Sequence, residues 1–288
     1  MNPQWMQGTA LIAVMLMITG CESTLSVEVA RGDSLTLTTF SPQITGVVLR
    51  QQGGSTVRLN SDALRNRDLE TVSSGSQVIL LDSSDVPVAR YTGIALTFAS
   101  SGGTVTTTLD GTELDVIPVA GAFAAIDLQV SEDDAPTLRV TLEPHLSVTD
   151  QRTTTTTQAR FLPVVRAGQP GDLRQITGTV SAALVQGVNC RNAPAPAEGA
   201  AIYAYAVQDL SAADYLEGAQ INPVAVGAIT HDAPAYRYRI GNLPAGDYTL
   251  AMFCAADTDA PATAEGLTPL RSIEFTLGDR DATVDLTS

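Results

Sequence analysis

Apolar and polar residues alternate along this chain in short runs, and Gly, Asp, Ser or Pro separates one run from the next. Leu25, Val27 and Val29 alternate with Ser26 and Glu28, and Leu35 and Leu37 with Thr36 and Thr38. Ile94, Leu96 and Phe98 fall on one face of a run that begins at Arg90, and Tyr236-Arg237-Tyr238-Arg239-Ile240 repeats the pattern far downstream. A period of two puts successive side chains on opposite faces of a strand, so each run is a strand with one face in a core and the other in water. Many short strands with frequent turns predict an all-β fold, here two antiparallel β-sandwich domains in tandem. Val47–Arg50 and Thr56–Leu59 flank Gln-Gln-Gly-Gly-Ser, and Thr104–Leu109 and Glu113–Val116 flank Asp110-Gly111. Both read as hairpins around turns that need a left-handed backbone. Ser61–Leu69 and Ala212–Glu217 are the stretches that read as helical, and Thr153–Thr157 is an edge strand or a loop. Ala167-Gly168-Gln169-Pro170-Gly171-Asp172 is small and turn-forming and predicts a linker. The domains are then 25–166 and 173–288.

The first twenty residues are different. Thr9–Ile18 is a core of about ten residues, apolar but for Thr9, about half of the roughly 20 that a spanning helix requires, and fits the apolar segment of a signal peptide. It ends in Ile18-Thr19-Gly20-Cys21, which resembles the lipobox of bacterial lipoproteins. The resemblance implies cleavage before Cys21, acylation of that cysteine, and a short tether over 21–24. Glu22 in place of Asp implies passage to the outer membrane of a bacterial envelope. Met1–Gly8 carries no Lys or Arg, which departs from the usual charged start. Several acyl chains on one terminus hold a protein stably, where a single chain does so only marginally. The expected partner is therefore a lipid bilayer reached through Cys21.

The formal net charge is −15, and none of the charged residues lies in 1–20. Such a surface repels polyanions, which excludes DNA and RNA as partners. All 16 basic residues are Arg, and the single Trp is Trp5. With Cys21 assigned to lipid, Cys190 and Cys254 remain. An oxidising compartment favours a disulfide between them, with a metal pair or two free buried thiols as alternatives.

Two longer stretches carry family resemblance. Tyr91-Thr92-Gly93-Ile94-Ala95-Leu96, the Asp110-Gly111 turn and Phe161-Leu162-Pro163-Val164-Val165-Arg166 resemble, in order and spacing, the bacterial lipoproteins grouped as domain of unknown function 4382. Gly178-Thr179-Val180 followed by Leu243-Pro244-Ala245-Gly246-Asp247-Tyr248-Thr249 is similar to the carboxypeptidase-regulatory or transthyretin-like β-sandwich. Neither resemblance supplies a catalytic residue, and the second implies a non-catalytic accessory role.

Little else carries chemistry. Gly32-Asp33-Ser34-Leu35 matches the nucleophile block of one esterase class, whose base arrives as Asp-x-x-His, but His145 and His231 are preceded at that spacing by Leu142 and Ala228. Arg31-Gly32-Asp33 spells an adhesion tripeptide beside the tether and is discounted. Two distant His exclude a His-rich zinc site, and the acidic turns at Asp82/Asp85, Glu132–Asp134, Asp257/Asp259 and Asp279/Asp281 lack EF-hand spacing. No metal or other cofactor is implied. Tyr203, Tyr205, Tyr236 and Tyr238 could stack on a sugar or anchor a peptide, or fill the core of the second sandwich with hydroxyls at its rim. The sequence thus predicts a non-enzymatic, membrane-anchored envelope lipoprotein with a structural or interaction role toward an envelope protein or glycan. A carbohydrate- or peptide-binding module built on the four tyrosines is the alternative.

Overall fold

The structure is a computed structural model and describes residues 22–64, 69, 77–107, 110–119, 121–151, 153–187, 190, 200–208, 212, 219–254 and 268–287. The leader, Cys21 where acylation is expected, and most of the 212–217 segment lie outside the described residues.

The first half runs β1 (Glu22–Arg31), β2 (Leu37–Gln51), β3 (Thr56–Leu64), β4 (Val78–Pro87), β5 (Ala89–Thr107), β6 (Glu113–Pro118), β7 (Ala124–Val130), β8 (Thr137–Leu142), the single helical turn α1 (Pro144–Ser147), β9 (Val148–Asp150), β10 (Gln158–Phe161) and β11 (Val165–Gly168). A 3-10 turn over Pro170–Asp172 leads directly into the second half. There follow β12 (Leu173–Val180), α2 (Ala182–Val185), β13 (Ala201–Tyr205), β14 (Ala225–Ala228), β15 (Thr230–Asp232), β16 (Ala235–Pro244), β17 (Gly246–Phe253), β18 (Arg271–Leu277) and β19 (Ala282–Thr283).

The fold is all-β, with four sheets among the described residues. One sheet of the first half has the order β11-β8-β1-β4, and the facing one β3-β2-β5-β6-β10-β9 with β7 also on β5. The second half is built from β15-β16-β12-β19 and β14-β13-β17-β18. Each half closes on its own core: Leu25, Val27, Val29, Phe40, Tyr91, Ile94 and Val140 are among those in the first, and Ile176, Ile202, Tyr238, Leu250 and Leu286 among those in the second. The expected hairpins are present, with Val47 opposite Leu59 and Val105 opposite Leu114. Gly111 takes a φ of +67° in the Asp-Gly turn, which only glycine adopts cheaply.

The sheets are mixed, not wholly antiparallel. β1 runs parallel to β8, β6 to β10 and β12 to β19. A strand that arrives from the opposite sheet need not reverse direction as a hairpin partner must. Two expectations about elements are corrected. Ser61–Leu64 continues β3 as strand instead of starting a helix, because pairing with β2 outweighs the local preference of a short stretch. Ala167–Asp172 is no free linker, since Ala167 and Gly168 pair with Val140 and Arg139 in β11 and the 3-10 turn follows at once. Thr153–Thr157 is the exposed loop between β9 and β10.

The two halves share one topology. In the first, β1 lies between antiparallel β4 and parallel β8, and across the core the order is β3-β2-β5-β7. In the second, β12 lies between antiparallel β16 and parallel β19, and across the core the order is β14-β13-β17-β18. The same corner recurs in both. Tyr91 donates its hydroxyl hydrogen bond to the Pro87 carbonyl at 2.8 Å, and Tyr248 donates to that of Pro244 at 2.8 Å. This device, a tyrosine tied back to the backbone just upstream, closes the corner where the chain crosses between sheets of a sandwich. The first half adds to this plan a wing of lengthened β2 and β5 with β6, β9 and β10. Phe161 packs edge-on against Phe40 and Phe98 there.

Candidate functional site

Among the described residues, a group of buried polar side chains lies on the seam between the halves. Its sequence origin is the end of β8, where the strand stops at Leu142, Glu143 takes the cap position and Pro144 starts α1. Glu143 and His145 are thereby carried off the sheet toward the second half. From the neighbouring β11, Arg166 reaches the same place.

Arg166 forms an ion pair with Glu143, both side chains being nearly or wholly buried. Its remaining N–H groups cross the seam. Nε donates to the Asn242 carbonyl at 2.9 Å, Nη2 to that of Gly241 at 2.7 Å, and Nη1 to that of Val224 at 3.3 Å. The Glu143 carboxylate also accepts from the Val226 amide at 3.4 Å, and the Asp33 carboxylate accepts from Ala228 at 3.2 Å. Val226 and Ala228 belong to β14, an edge strand, so first-half carboxylates occupy amides that would otherwise point out of the sheet. Asn242 has a φ of +54° and donates to Thr141 Oγ1 at 3.0 Å, while Arg139 Nη1 donates to Asn242 Oδ1 at 3.4 Å. Gly32 packs so closely on the Glu143 carboxylate that a Cβ there would collide with it. A cleft of about 10 Å3, the size of one water, remains between Gly32, Asp33, Arg166, Val226 and Arg239.

An apolar patch continues the seam. Leu35, Leu146 and Val164 of the first half pack on Tyr203, Tyr205, Val226 and Phe253, on the outer face of the β13 sheet. Hence both faces of β13 are buried, one by the second core and one by the first half. His145 sits in this patch. Its Nε2 lies 3.0 Å from the Tyr203 hydroxyl, and Nδ1 has no hydrogen-bond partner among the described residues. Burial holds the ring's pKa down at about 4, because a charged ring loses hydration there without gaining an anion. Burial likewise pushes the Glu143 carboxyl above the usual range, against the pull of Arg166.

The structure places the predicted residues as follows. Cys190 and Cys254 form a disulfide with Cα atoms 5.1 Å apart. Tyr203, Tyr205, Tyr236 and Tyr238 are all buried and form no aromatic strip on the surface. They do not even share a site, since Tyr203 and Tyr205 lie in the seam and Tyr236 and Tyr238 in the second core. Tyr238 donates to the Val284 carbonyl at 2.6 Å. The Ser34 hydroxyl caps a turn by accepting from the Leu37 amide at 3.1 Å and the Thr36 amide at 3.4 Å. His231 stacks on Tyr236 in the second half. No cluster of three or more His, Cys, Asp or Glu that could hold a metal occurs among the described residues, and none of their helices is long and apolar enough to cross a membrane.

Glu143, His145 and Asn242 belong to no sequence motif, and Arg166 only closes the Phe161–Arg166 stretch, which does not point to its partners. Arg166 lies 23 residues from Glu143 and 76 from Asn242, distances at which no local pattern links them. The repeated corner was visible: Pro87-x-x-x-Tyr91-Thr92 and Pro244-x-x-x-Tyr248-Thr249 have one spacing.

No family model matches the chain, and no curated protein matches it. Among solved structures, the Bacillus anthracis TIE protein is 12% identical with a TM-score of 0.21, over 92% of this chain and 34% of that one. A leucine-rich repeat protein from Bacteroides thetaiotaomicron is 13% identical with a TM-score of 0.21, over 93% and 27%. A candidate adhesin from Bacteroides ovatus is 6% identical with a TM-score of 0.24, over 99% and 98%. This chain spans about a third and about a quarter of the length of the first two. At these scores the likeness carries no argument about function.

Proposed function

We propose that this chain is a non-enzymatic, lipid-anchored protein of the bacterial envelope, a jointed pair of β-sandwiches that serves as a structural or protein-binding element. The observation that carries the reading is where its reactive side chains are spent. Ser34 caps a turn, Cys190 and Cys254 bond to each other, His145 is sealed in the seam, and Glu143 is committed to Arg166 and Val226. The contacts of His145 and Glu143 hold the halves together, and none of these groups is poised over a substrate-sized cavity among the described residues. The anchor rests on Ile18-Thr19-Gly20-Cys21, and the accessory character agrees with the transthyretin-like pattern at Leu243–Thr249. Sugar or peptide binding on the tyrosines is not retained, because the rings that would stack are covered.

Metabolic labelling with a radioactive fatty acid tests the anchor. The wild-type chain takes up label and sediments with membranes, and Cys21→Ala does neither. An unlabelled wild-type chain, or a variant that behaves identically, refutes the anchored reading.

A further inference from the structure

We propose that the seam is an acid-released latch, held shut by a neutral His145 and opened when that ring takes a proton, so that the outer face of the β13 sheet with Tyr203, Tyr205 and Phe253 becomes exposed.

The geometry makes His145 the weak point. Its ring lies between Tyr203 and the α1 turn, 5.9 Å from the Tyr203 ring centre, with Nδ1 unpartnered among the described residues. A proton on Nδ1 would be a donor in a closed apolar patch, a costly arrangement. The ionisable groups around it offer no relief. On its own segment, Glu143 turns its carboxylate to Arg166 and Val226. β11 brings Arg166, a second cation, and β13 brings Tyr203 and Tyr205, which are neutral in acid. β14 has no ionisable side chain, and the only charged residue of β2, Arg50, lies over the Phe123 ring at 4.8 Å. Asp33, on the turn after β1, accepts from Ala228. The ordinary and buried values of the ring, 6.5 and about 4, set the window in which acid favours the open form. Glu143 acts in the opposite sense, since a carboxyl held high by burial favours the closed form as pH falls. The latch therefore belongs to His145.

Each half has its own core, so separation need not unfold either. What opening uncovers is apolar and aromatic, namely Tyr203, Tyr205, Val226 and Phe253. The latch is independent of the lipid anchor and stands or falls without it.

Pulsed hydrogen–deuterium exchange on the full chain tests it. Brief labelling at a series of pH values from 7 to 4, each corrected for the intrinsic exchange rate at that pH, reads how often the seam opens. The readouts are peptides holding Val226 and Ala228, with β12 as an internal reference. In the wild-type chain the seam's opening equilibrium rises about a hundredfold from pH 7 to pH 4 while β12 stays protected. In His145→Gln, which keeps a polar group of similar reach without the proton, the rise is absent. A seam that stays shut in the wild type, or opens equally in the variant, overturns the proposal. Histidine C2-hydrogen exchange supplies a reading that needs no variant. The chain has two histidines, and an ordinary pKa for His145 also overturns the proposal.

Discussion

Arg166 shows how much one side chain can organise. It is paired with a carboxylate that has no access to water, and it donates to three carbonyls of the other half. Buried ion pairs contribute little net stability, but removing one partner leaves an uncompensated charge and costs about 3–5 kcal/mol. Arg166→Ala is expected to lose that amount in urea unfolding, and Arg166→Lys to recover only part of it, since an ammonium cannot reach four acceptors in a planar fork. His145 gives the pH dependence its sign. Its folded-state pKa is depressed, so its contribution is intact above pH 6.5 and is lost as pH falls toward about 4. The loss is about 3 kcal/mol at full extent. Denaturant melts at pH 7 and pH 4.5 should separate wild type from His145→Gln, the variant losing less between the two. Equal losses would mean that other groups set the acid sensitivity.

At the scale of elements, the repeated corner and the disulfide do comparable work in different ways. Tyr91 and Tyr248 close equivalent corners through equivalent hydrogen bonds. Tyr91→Phe and Tyr248→Phe should each cost about 1 kcal/mol and act on separate cores, so their effects should add. The bond between Cys190 and Cys254 links the end of the α2 region to the end of β17 and spans 64 residues of sequence. A closed loop of that size stabilises by roughly 4 kcal/mol in the chain-entropy model. Cys190→Ser/Cys254→Ser should therefore weaken the second half, with exchange rising in β13 and β17 before it rises in β2 or β5. A uniform rise across both halves would show that the seam transmits the loss in full.

For the whole molecule, the seam decides whether two sandwiches act as one body. The polar contacts of Glu143, Arg166 and Asp33, the apolar patch around Tyr203, and a connection without a free linker all restrict hinge motion. Wild type is expected to unfold in a single calorimetric transition at pH 7, and Arg166→Ala in two, one for each core. Two transitions in the wild type would show that the seam does not couple the halves. The pattern of strands was legible because a period of two needs only neighbours along the chain. Val47, Leu49, Ile94 and Tyr238 all point inward as their alternation predicts. The outcome for Tyr203 and Tyr205 was not legible in that way. Alternation sets them on one face of β13, and that face is covered by residues that arrive from the other half.

By itself the sequence determined the all-β class, the main hairpins and the pairing partner available to Cys190, since alternation, turn chemistry and cysteine number are local or countable properties. Tertiary structure alone decided the shared topology of the halves, the parallel placement of β8 and β19, and the burial of Glu143, His145 and Arg166 in one seam. Those features depend on which strands become neighbours after the chain crosses between sheets, and no short-range pattern encodes a contact between residues many tens of positions apart.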